Sequence, residues 1–574
     1  MQGIMIDDPL CQLRTAYGHG RQGLAGVNER DTHNHNTDIS ERLPVHKNKN
    51  LGEAQVVLES LDKIEKAAGD SRQELFRLGT ALLFLIAIIL YVGSQGEVSF
   101  MLVVAAMIGG YMALNIGAND VANNVGPAVG SKALTLTGAI VLAAIFEASG
   151  ALIAGGDVVG TIKKGIIDPA GIGDTDTFIW VMMAALLAGA LWLNVATILG
   201  APVSTTHSIV GGVLGAGIAA GGWQIANWNT MGQIAASWVI SPVMGGIIAA
   251  LFLYMIKRTI TYRSDMLGAA RRMVPLLIAI MSWAFATYLL LKGVKQIWKI
   301  EFGNALAMGF GFAILVYFAV KPLIFRAAKK KTNDKDGINQ LFIMPLIFAA
   351  ALLSFAHGAN DVANAIGPLA AISEAVSTGA IAAKASIPLW VMMIGAIGIS
   401  LGLALYGPKL IRTVGSEITE LDQSRAFCVA LAAAITVIIA THFGLPVSST
   451  HIAVGGVFGV GFLREYLKVS YARMVAEIEE HHQGADREVV EEYMSRFQAA
   501  GLQEKSTMLT QLKKHSAKTD LTKRERKGLT KIYRHELVRR SVLLKIVAAW
   551  LITVPVSGFL AAMLFFTIRG MMLP

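Results

Sequence analysis

A short phrase rich in carboxylate and amide side chains occurs twice in the sequence. It reads GANDVANNVGP at 117–127 and GANDVANAIGP at 358–368, with nine of eleven positions identical. Both copies lie against strongly apolar segments, where an ionised carboxylate costs several kcal/mol unless protein, water or a counter-ion surrounds it. Asp120 and Asp361 are therefore candidate functional residues.

The amides of this phrase complete an oxygen-rich set. Asn123 and Asn364 follow the two aspartates by three residues, which returns them to the same helical face. Carboxylate and amide oxygens suit a hard cation such as Na⁺ better than a soft metal, and the preceding glycine lets a helix unwind there. The alternative is that each aspartate only caps a helix while the asparagines satisfy broken backbone groups, which the duplication disfavours.

A second repeated phrase carries hydroxyl groups. It reads APVSTTHSIVGGVLGAG at 201–217 and LPVSSTHIAVGGVFGVG at 445–461, with eleven of seventeen positions identical. Because proline is favoured in the first turn of a helix, each phrase predicts a helix start whose free N–H groups, dipole and hydroxyls would bind an oxyanion. The following glycines predict close packing and a re-entrant hairpin, although a packing seam of small residues is the alternative. The hydroxyl residues are Ser204, Thr205, Thr206, Ser448, Ser449 and Thr450.

Three further ionisable residues lie within the predicted membrane region. His207 and His451 follow the hydroxyls, and each could either shuttle a proton or donate a structural hydrogen bond. Glu147, in AIFEASGALIAGG, is another intramembrane acid, and the aligned position of the second half is the apolar Ile399. This asymmetry suggests that Glu147 handles a coupling ion or a proton, and a satisfied structural carboxylate explains it equally well.

The elements that position these residues must be membrane helices. Of 574 residues, 54% are hydrophobic and 16% charged, against about 25% charged residues in soluble domains, and the mean hydropathy is +0.54. The chain is therefore an integral membrane protein. Apolar runs of spanning length, about 20 residues, lie near 79–94, 98–116, 136–155, 178–199, 232–256, 273–292, 303–325, 340–356, 387–406, 426–442 and 542–568.

The net charge of +10 could suggest a nucleic-acid partner, but the basic residues concentrate in loops and at span ends. Two loops, at 257–272 and 321–335, are especially rich in them, as the positive-inside rule predicts for cytoplasmic loops. We therefore expect no nucleic-acid partner. The two cysteines, Cys11 and Cys428, indicate neither a disulfide framework nor a thiolate metal site.

The repeated phrases recur in order, followed by a looser pair, IAASWVISPVMGG at 234–246 and IVAAWLITVPVSG at 546–558. Such ordered similarity indicates a duplicated unit. We predict an all-α polytopic membrane protein of about 11–12 transmembrane helices, with two pseudo-symmetric repeats that contain broken helices and re-entrant hairpins.

The predicted divisions of the chain follow from this duplication and from the composition. They are a polar tail (1–74), a first span (75–97), repeat 1 (98–256), linking spans and basic loops (257–339), the first part of repeat 2 (340–463), a polar helical insert (464–540) and the last span of repeat 2 (541–574).

The doubled GANDVAN phrase and the PVSTTH and PVSSTH segments resemble those of the inorganic phosphate transporter (PiT) family. The resemblance covers about 98–256 and 340–568, but not the N-terminal tail. It implies cation-coupled uptake of inorganic phosphate through inverted repeats, with phosphate contacts from the six hydroxyl residues of the second phrase. The implied ion-coupling residues, which would ligate Na⁺ if the coupling is to sodium, are Asp120, Asn123, Asp361 and Asn364.

Electrostatics supports the same division of roles. Two carboxylates beside a divalent oxyanion repel it unless a cation lies between them or a proton is shared. The two phrases thus predict a phosphate symporter driven by Na⁺ or H⁺, with no enzymatic activity and no cofactor besides the coupling ion. The expected partners are inorganic phosphate, the cation and the bilayer of the plasma (inner) membrane, and a homodimer stays open.

Three other functions compete with this prediction. A sulfate permease of the same family would use the same donors, but the P–OH of phosphate needs an acceptor such as Asp120 or Asp361, which sulfate at neutral pH does not. A channel would also carry duplicated pore motifs, whereas two acids facing two anion-binding helix starts favour occluded, coupled binding. A membrane enzyme acting on phosphate esters could use His207 and His451 as nucleophiles, but the sequence contains no P-loop.

Overall fold

The computed structural model describes residues 49–95, 99–293, 298, 300–380, 387–416, 421–480 and 540–572. The chain divides into two compact units, Met1–Ser71 and Arg72–Pro574. The described part of the smaller unit is helical, and all that follows concerns the larger unit. Most of the predicted tail and most of the predicted insert lie outside the described residues, so the predicted domain divisions stay predictions.

The described residues are almost entirely helical, and the β-bridge recorded among them joins only Ile167 and Ala226. Within these described residues, eleven helices are long and apolar enough to cross a membrane, one for each predicted run. The prediction of an all-α polytopic membrane protein is therefore confirmed. The spans are Ser71–Gly93, Phe100–Gly130, Leu136–Ala154, Thr175–Leu199, Trp228–Thr261, Met266–Lys292, Phe302–Ala328, Ile343–Thr378, Leu389–Arg412, Gln423–His442 and Ile546–Met572.

Polar caps set several helix starts. Asp174 accepts a hydrogen bond from the backbone N–H of Thr177, and Asp422 accepts one from that of Arg425, so each satisfies a donor of a first turn. The helices of the first half are α1 (Lys49–Gly93), α2 (Phe100–Asn119), α3 (Ala122–Gly130), α4 (Leu136–Ala154), α5 (Thr175–Leu199), α6 (Thr205–Gly221) and α7 (Trp228–Ile256).

Two linking helices, α8 (Met266–Lys292) and α9 (Phe302–Ala328), pack against each other and join the halves. The helices of the second half are α10 (Lys335–Leu341), α11 (Ile343–Asp361), α12 (Ala363–Thr378), α13 (Leu389–Ser416), α14 (Gln423–His442), α15 (Ser449–Glu480) and α16 (Arg540–Met572).

The helices are broken at the carboxylate phrases, as predicted. The first break lies between α2 and α3, where the backbone N–H of Asn123 bonds to the carbonyl of Asp120 at 3.0 Å. The second lies between α11 and α12, where the N–H of Ala365 bonds to the carbonyl of Val362 at 3.1 Å. These bonds between residues three apart tighten the chain for one turn, which places both carboxylates at helix ends.

The helices form two bundles, and each bundle takes helices from both halves of the sequence. In the first bundle, α2 and α3 pack against α13, and α4 packs against α11 and α13. In the second bundle, α6 packs against α16 and α7 against α15, with α5 and α14 beside them. The bundles touch where α2 and α12 meet α5 and where α11 meets α14. The two halves are therefore interleaved.

Glycines allow the closest helix contacts in both bundles. A Cβ on Gly117 would lie 1.9 Å from the carbonyl oxygen of Ile399, and one on Gly459 would lie 2.1 Å from that of Gly246. No larger residue fits at such distances, so the backbones approach as small-residue helix pairs do in membranes. The predicted role of the glycine-rich phrases in close packing agrees with these contacts.

Candidate functional site

The two hydroxyl phrases form the turns that precede α6 and α15. Gly200 and Gly444 take left-handed backbone conformations, with φ of 71° and 67°, where a side chain would be strained. Ser204 and Ser448 then cap the helices, accepting from the backbone N–H of His207 at 3.1 Å and of His451 at 3.2 Å. The prolines lie before the caps rather than in the first turn, so that detail of the sequence prediction was wrong, because the serine provides the cap.

The carboxylate of Asp120 lies between the hydroxyls of the two helix starts. Thr205 Oγ1 is 2.5 Å from Asp120 Oδ2, and the Thr450 hydroxyl, from the other half of the chain, donates to Asp120 Oδ1. All three side chains are fully buried. Charged acceptors of this kind make strong hydrogen bonds, so Asp120 ties both helix starts to the first helix break.

Asp361 contacts the same hydroxyl set from the second break. Its Oδ2 lies 3.3 Å from Thr205 Oγ1 and 3.4 Å from Ser449 Oγ. Thr205 therefore bridges the two aspartates. The structure thus brings together the acids and hydroxyls that the sequence predicts to meet, although the two copies of each phrase lie more than 200 residues apart.

The amides cross between the halves in matched pairs. Asn123 Nδ2 donates to Thr450 Oγ1 at 2.7 Å, and Asn364 Nδ2 donates to Thr206 Oγ1 and Thr205 Oγ1 at 3.1 Å. The break between α2 and α3 thus contacts the start of α15, and the break between α11 and α12 contacts the start of α6. Each break therefore bonds to a helix start of the other half.

Two further asparagines, which were not predicted as site residues, fasten each break to its own turn. Asn119 Nδ2 donates to the carbonyl of Ala201 at 3.2 Å, and its Oδ1 accepts from the N–H of Val203 at 3.0 Å. Asn360 Nδ2 likewise donates to the carbonyl of Leu445 at 3.3 Å. Their place directly before each aspartate was the available sequence signal.

Several acceptor oxygens of the site remain without a donor. Oδ1 of Asn123, Oδ1 of Asn364 and Oδ1 of Asp361 are buried and have no hydrogen-bond partner among the described residues. A buried polar atom without a partner costs about 1–3 kcal/mol. Because these atoms are acceptors, only a cation, a proton donor or a ligand with a hydroxyl group can satisfy them.

Glu147, in the first half, belongs to a chain of polar side chains that continues into the second half. Its Oε1 accepts from Asn124 Nδ2 at 2.8 Å, and its Oε2 lies 2.7 Å from Nδ1 of His357. The other ring nitrogen of His357 lies 3.2 Å from Asp361 Oδ2. The chain Glu147–His357–Asp361 therefore connects the first bundle's buried acid to the site.

His357 is a residue that sequence reasoning missed. It precedes Asp361 by one helical turn, the spacing that places two side chains on one face, and this was the only available signal. Single ligand atoms of Asp120, His357 and Asp361 lie within 4.8 Å of one another. The surrounding oxygens are hydroxyl, amide and carboxylate groups, which suit a hard cation.

The histidines of the hydroxyl phrases lie side by side in the second bundle. The ring centroids of His207 and His451 are 4.4 Å apart. The ring of Trp238 packs edge-on against His207 at 3.8 Å, and that of Trp550 stacks on His451 at 3.6 Å. Both imidazoles are buried, so they form an aromatic contact between the helix starts and do not join the carboxylate cluster.

Several known proteins are similar to this chain in sequence or in fold. A model of the phosphate transporter family matches residues 116–561. Two relatives bear the name "Putative phosphate permease": one of Helicobacter pylori is 53% identical over 521 residues, 88% of this chain and 98% of its own, and one of Chlamydia trachomatis is 40% identical over 402 residues, 66% and 93%. A solved structure named "The sodium-dependent phosphate transporter" is similar at TM-score 0.67 and 31% identity, covering 83% of this chain and 100% of that one. The chain belongs to the phosphate transporter family.

Proposed function

We propose that the protein is a secondary active transporter that carries inorganic phosphate together with a coupling cation, Na⁺ in preference to H⁺. Membership of a family of transporters sets the enzyme alternative aside. The observation that carries the proposal is the meeting of two buried aspartates with the hydroxyl-bearing starts of two helices, beside acceptor oxygens that have no donor.

The unpartnered oxygens favour Na⁺ as the coupling ion. A proton would neutralise one carboxylate, but its single O–H could donate to only one of the amide oxygens of Asn123 and Asn364 and would leave the other without a partner. A Na⁺ ion accepts several oxygen ligands at once and would satisfy carboxylate and amide together. It would also reduce the repulsion between the two aspartates and an incoming oxyanion. The solved relative is named as a sodium-dependent transporter, which agrees with this choice.

The helix starts favour phosphate as the substrate. Backbone N–H groups at the start of α6 and α15 carry the positive end of each helix dipole, and Thr205, Thr206, Ser449 and Thr450 add hydroxyl donors. The hydroxyls that now contact the aspartates would turn to the anion when it binds. A protonated phosphate oxygen would then donate to an aspartate, which sulfate at neutral pH does not do.

The matched contacts support a site assembled from two related halves. The bond of Asn123 to Thr450 corresponds to that of Asn364 to Thr206 when the repeated phrases are superposed. We infer that 98–256 and 340–568 are the pseudo-symmetric, inverted repeats of the sequence prediction, each supplying half of one site, as in many secondary transporters. On this basis no cofactor besides the coupling ion is expected.

Uptake into proteoliposomes tests the proposal directly. The full chain is reconstituted, and radiolabelled phosphate or sulfate is offered under a Na⁺ gradient or a H⁺ gradient, with the membrane potential clamped. We expect phosphate accumulation under the Na⁺ gradient, and far less sulfate accumulation. Protein carrying Asp120→Asn serves as the matched control for leakage. Accumulation driven only by H⁺ would overturn the choice of ion, and equal uptake of sulfate would overturn the choice of substrate.

A further inference from the structure

The two basic loops of the sequence meet at one end of the larger unit. Residues 257–272 hold five cations and one carboxylate, and 321–336 hold six cations and two carboxylates, so together they supply eight of the chain's ten net positive charges. Asn333 joins them, since its Oδ1 accepts from the N–H of Leu267 at 2.9 Å and its Nδ2 donates to the carbonyl of Ser264 at 3.0 Å. The fold therefore gathers two separate charge runs into one surface.

A small cleft lies within this surface, between the ends of several helices. Lys257, at the end of α7, Lys335, at the start of α10, and Asp422 and Arg425, at the start of α14, all line it. Asp422 Oδ2 lies 3.3 Å from the guanidinium of Arg425 and 3.4 Å from Nζ of Lys335. Asp422 thus pairs with two cations of the cleft, and Lys257 is a third cation in its lining.

Lys257 is the cation of the cleft that this carboxylate does not pair. Its side chain is half-buried, and within the described ranges its recorded partner is the ring of Tyr262, with Nζ 5.5 Å from the centroid. No carboxylate of those ranges forms an ion pair with it. A half-buried ammonium beside two like charges is costly unless an anion approaches. The cleft is therefore electrostatically complementary to an anionic ligand.

Exposed apolar and aromatic side chains on the basic loops around the cleft indicate what kind of anion fits. Tyr262, Leu323 and Phe325 are 54%, 59% and 44% exposed, and Phe325 also stacks with the charged ends of Arg271 at 4.8 Å and Lys329 at 5.2 Å. Aromatic and basic residues at the ends of spans mark the membrane interface. A lipid offers a phosphate to the cations and acyl chains to the apolar side chains, whereas free phosphate offers only the anion.

We propose that the mouth of this cleft, which itself encloses only about 20 Å³, binds the phosphodiester headgroup of an anionic phospholipid, with Lys257 as its principal charged contact and the acyl chains against the exposed apolar residues of α9. Basic pockets between transmembrane helices bind anionic lipid headgroups by this combination. The cleft shares no residue with the aspartate and hydroxyl cluster. A test of the lipid site is therefore independent of a test of the proposed transport function.

Native mass spectrometry of the full chain tests the proposal. The purified protein is titrated with phosphatidylglycerol or with zwitterionic phosphatidylcholine, and the affinity of the first bound lipid is measured. We expect a preference for phosphatidylglycerol that Lys257→Gln weakens about tenfold or more, as for a lost hydrogen bond to a charged group. Arg258→Gln is the matched control, one residue away and exposed, and should cost about fivefold or less.

Two further arms separate the remaining outcomes. Lys257→Arg keeps the charge and should keep the preference, and thermal unfolding in phosphatidylcholine nanodiscs shows that each variant is folded. Equal losses in Lys257→Gln and Arg258→Gln would reveal diffuse attraction and overturn the site. Displacement of phosphatidylglycerol by inorganic phosphate, lost in Lys257→Gln, would assign the cleft to free phosphate and overturn the lipid.

Discussion

At the scale of single residues, the main feature of the site is two buried carboxylates that are bridged by a hydroxyl group. Thr205 lies between Asp120 and Asp361, so removal of either charge changes the field at both helix starts. His357 adds an imidazole between Glu147 and Asp361 on one side only. The position aligned with His357 in the first half is Ile116, so an imidazole lies beside only one of the two breaks.

The aspartates should be essential for coupling but not for insertion. We expect Asp120→Asn and Asp361→Asn each to abolish ion-driven phosphate uptake, because each removes a charge that would hold the cation, while insertion becomes easier. Uptake by reconstituted variants and the yield of folded protein are the measurements. Asp176→Asn, at an exposed position, is the control. Near-normal, still Na⁺-driven uptake in both site variants would refute the assignment.

The threonine hydroxyls should contribute to phosphate affinity. Thr206→Val and Thr450→Val replace a donor by a methyl of similar shape, and a lost bond to a charged ligand costs about 1.5–3 kcal/mol, or roughly a tenfold or greater loss of affinity. The half-saturating phosphate concentration measures it. Ser208→Ala is the matched control, because that hydroxyl donates to the carbonyl of Ser204 within its own helix. Unchanged affinity in both threonine variants would indicate a packing role.

The site residues were largely predictable, because duplication identified them twice. Asp120, Asp361 and the hydroxyls could be paired from the repeated phrases alone, and Glu147 could be singled out as an acid without a counterpart. The partner of Glu147, His357, could not be predicted. A single histidine on an apolar helix looks like a structural residue until its contact with another helix is known. The roles of all these residues stay predictions until transport is measured.

At the scale of helices, packing depends on glycines that admit no side chain. A Cβ on Gly459 would meet the backbone of Gly246, and one on Gly215 would lie 2.1 Å from the carbonyl oxygen of Gly558. These contacts hold α15 on α7 and α6 on α16. The hydroxyl-bearing starts of α6 and α15 are thereby fixed relative to the second bundle as a whole.

Gly459→Ala should lower the thermal unfolding midpoint and reduce uptake. Backbone atoms must move to admit the methyl, and such overpacking typically costs about 1–3 kcal/mol. Gly232→Ala is the control, since nothing lies within 4 Å of the added Cβ and alanine favours a helix interior by about 0.5–1 kcal/mol. In detergent, the unfolding midpoint should fall for Gly459→Ala and rise or stay unchanged for Gly232→Ala. A Gly459→Ala protein as stable as wild type would contradict the close packing.

The helices themselves could be predicted from apolar runs of spanning length, and all eleven are present among the described residues. The ends of the helices were harder to predict from the sequence. The prolines of the hydroxyl phrases suggested helix starts there, whereas serine side chains set the starts two residues later. Which helices pair could not be predicted either, because apolar periodicity shows that a face is buried but not what covers it.

At the scale of the whole molecule, the site uses matched elements, and the polar block at 464–540 has no counterpart in the first half. A site built from two matched halves should not need an element that one half lacks. Replacement of 470–535 by a short Gly/Ser linker should therefore leave Na⁺-driven uptake by the reconstituted protein. Loss of uptake by correctly folded, inserted protein would show that the block completes the transporter.

The interleaving of the halves also governs how the protein can be made. Because α6 packs against α16, a helix of the first half cannot complete its packing in the membrane until α16 has been synthesised. Fragments split between α8 and α9 should each be degraded when expressed alone and should restore uptake together. If the first fragment proves stable alone, the bundles form in stages. Otherwise, biogenesis requires a factor that covers the glycine-lined face of α6 until α16 is inserted.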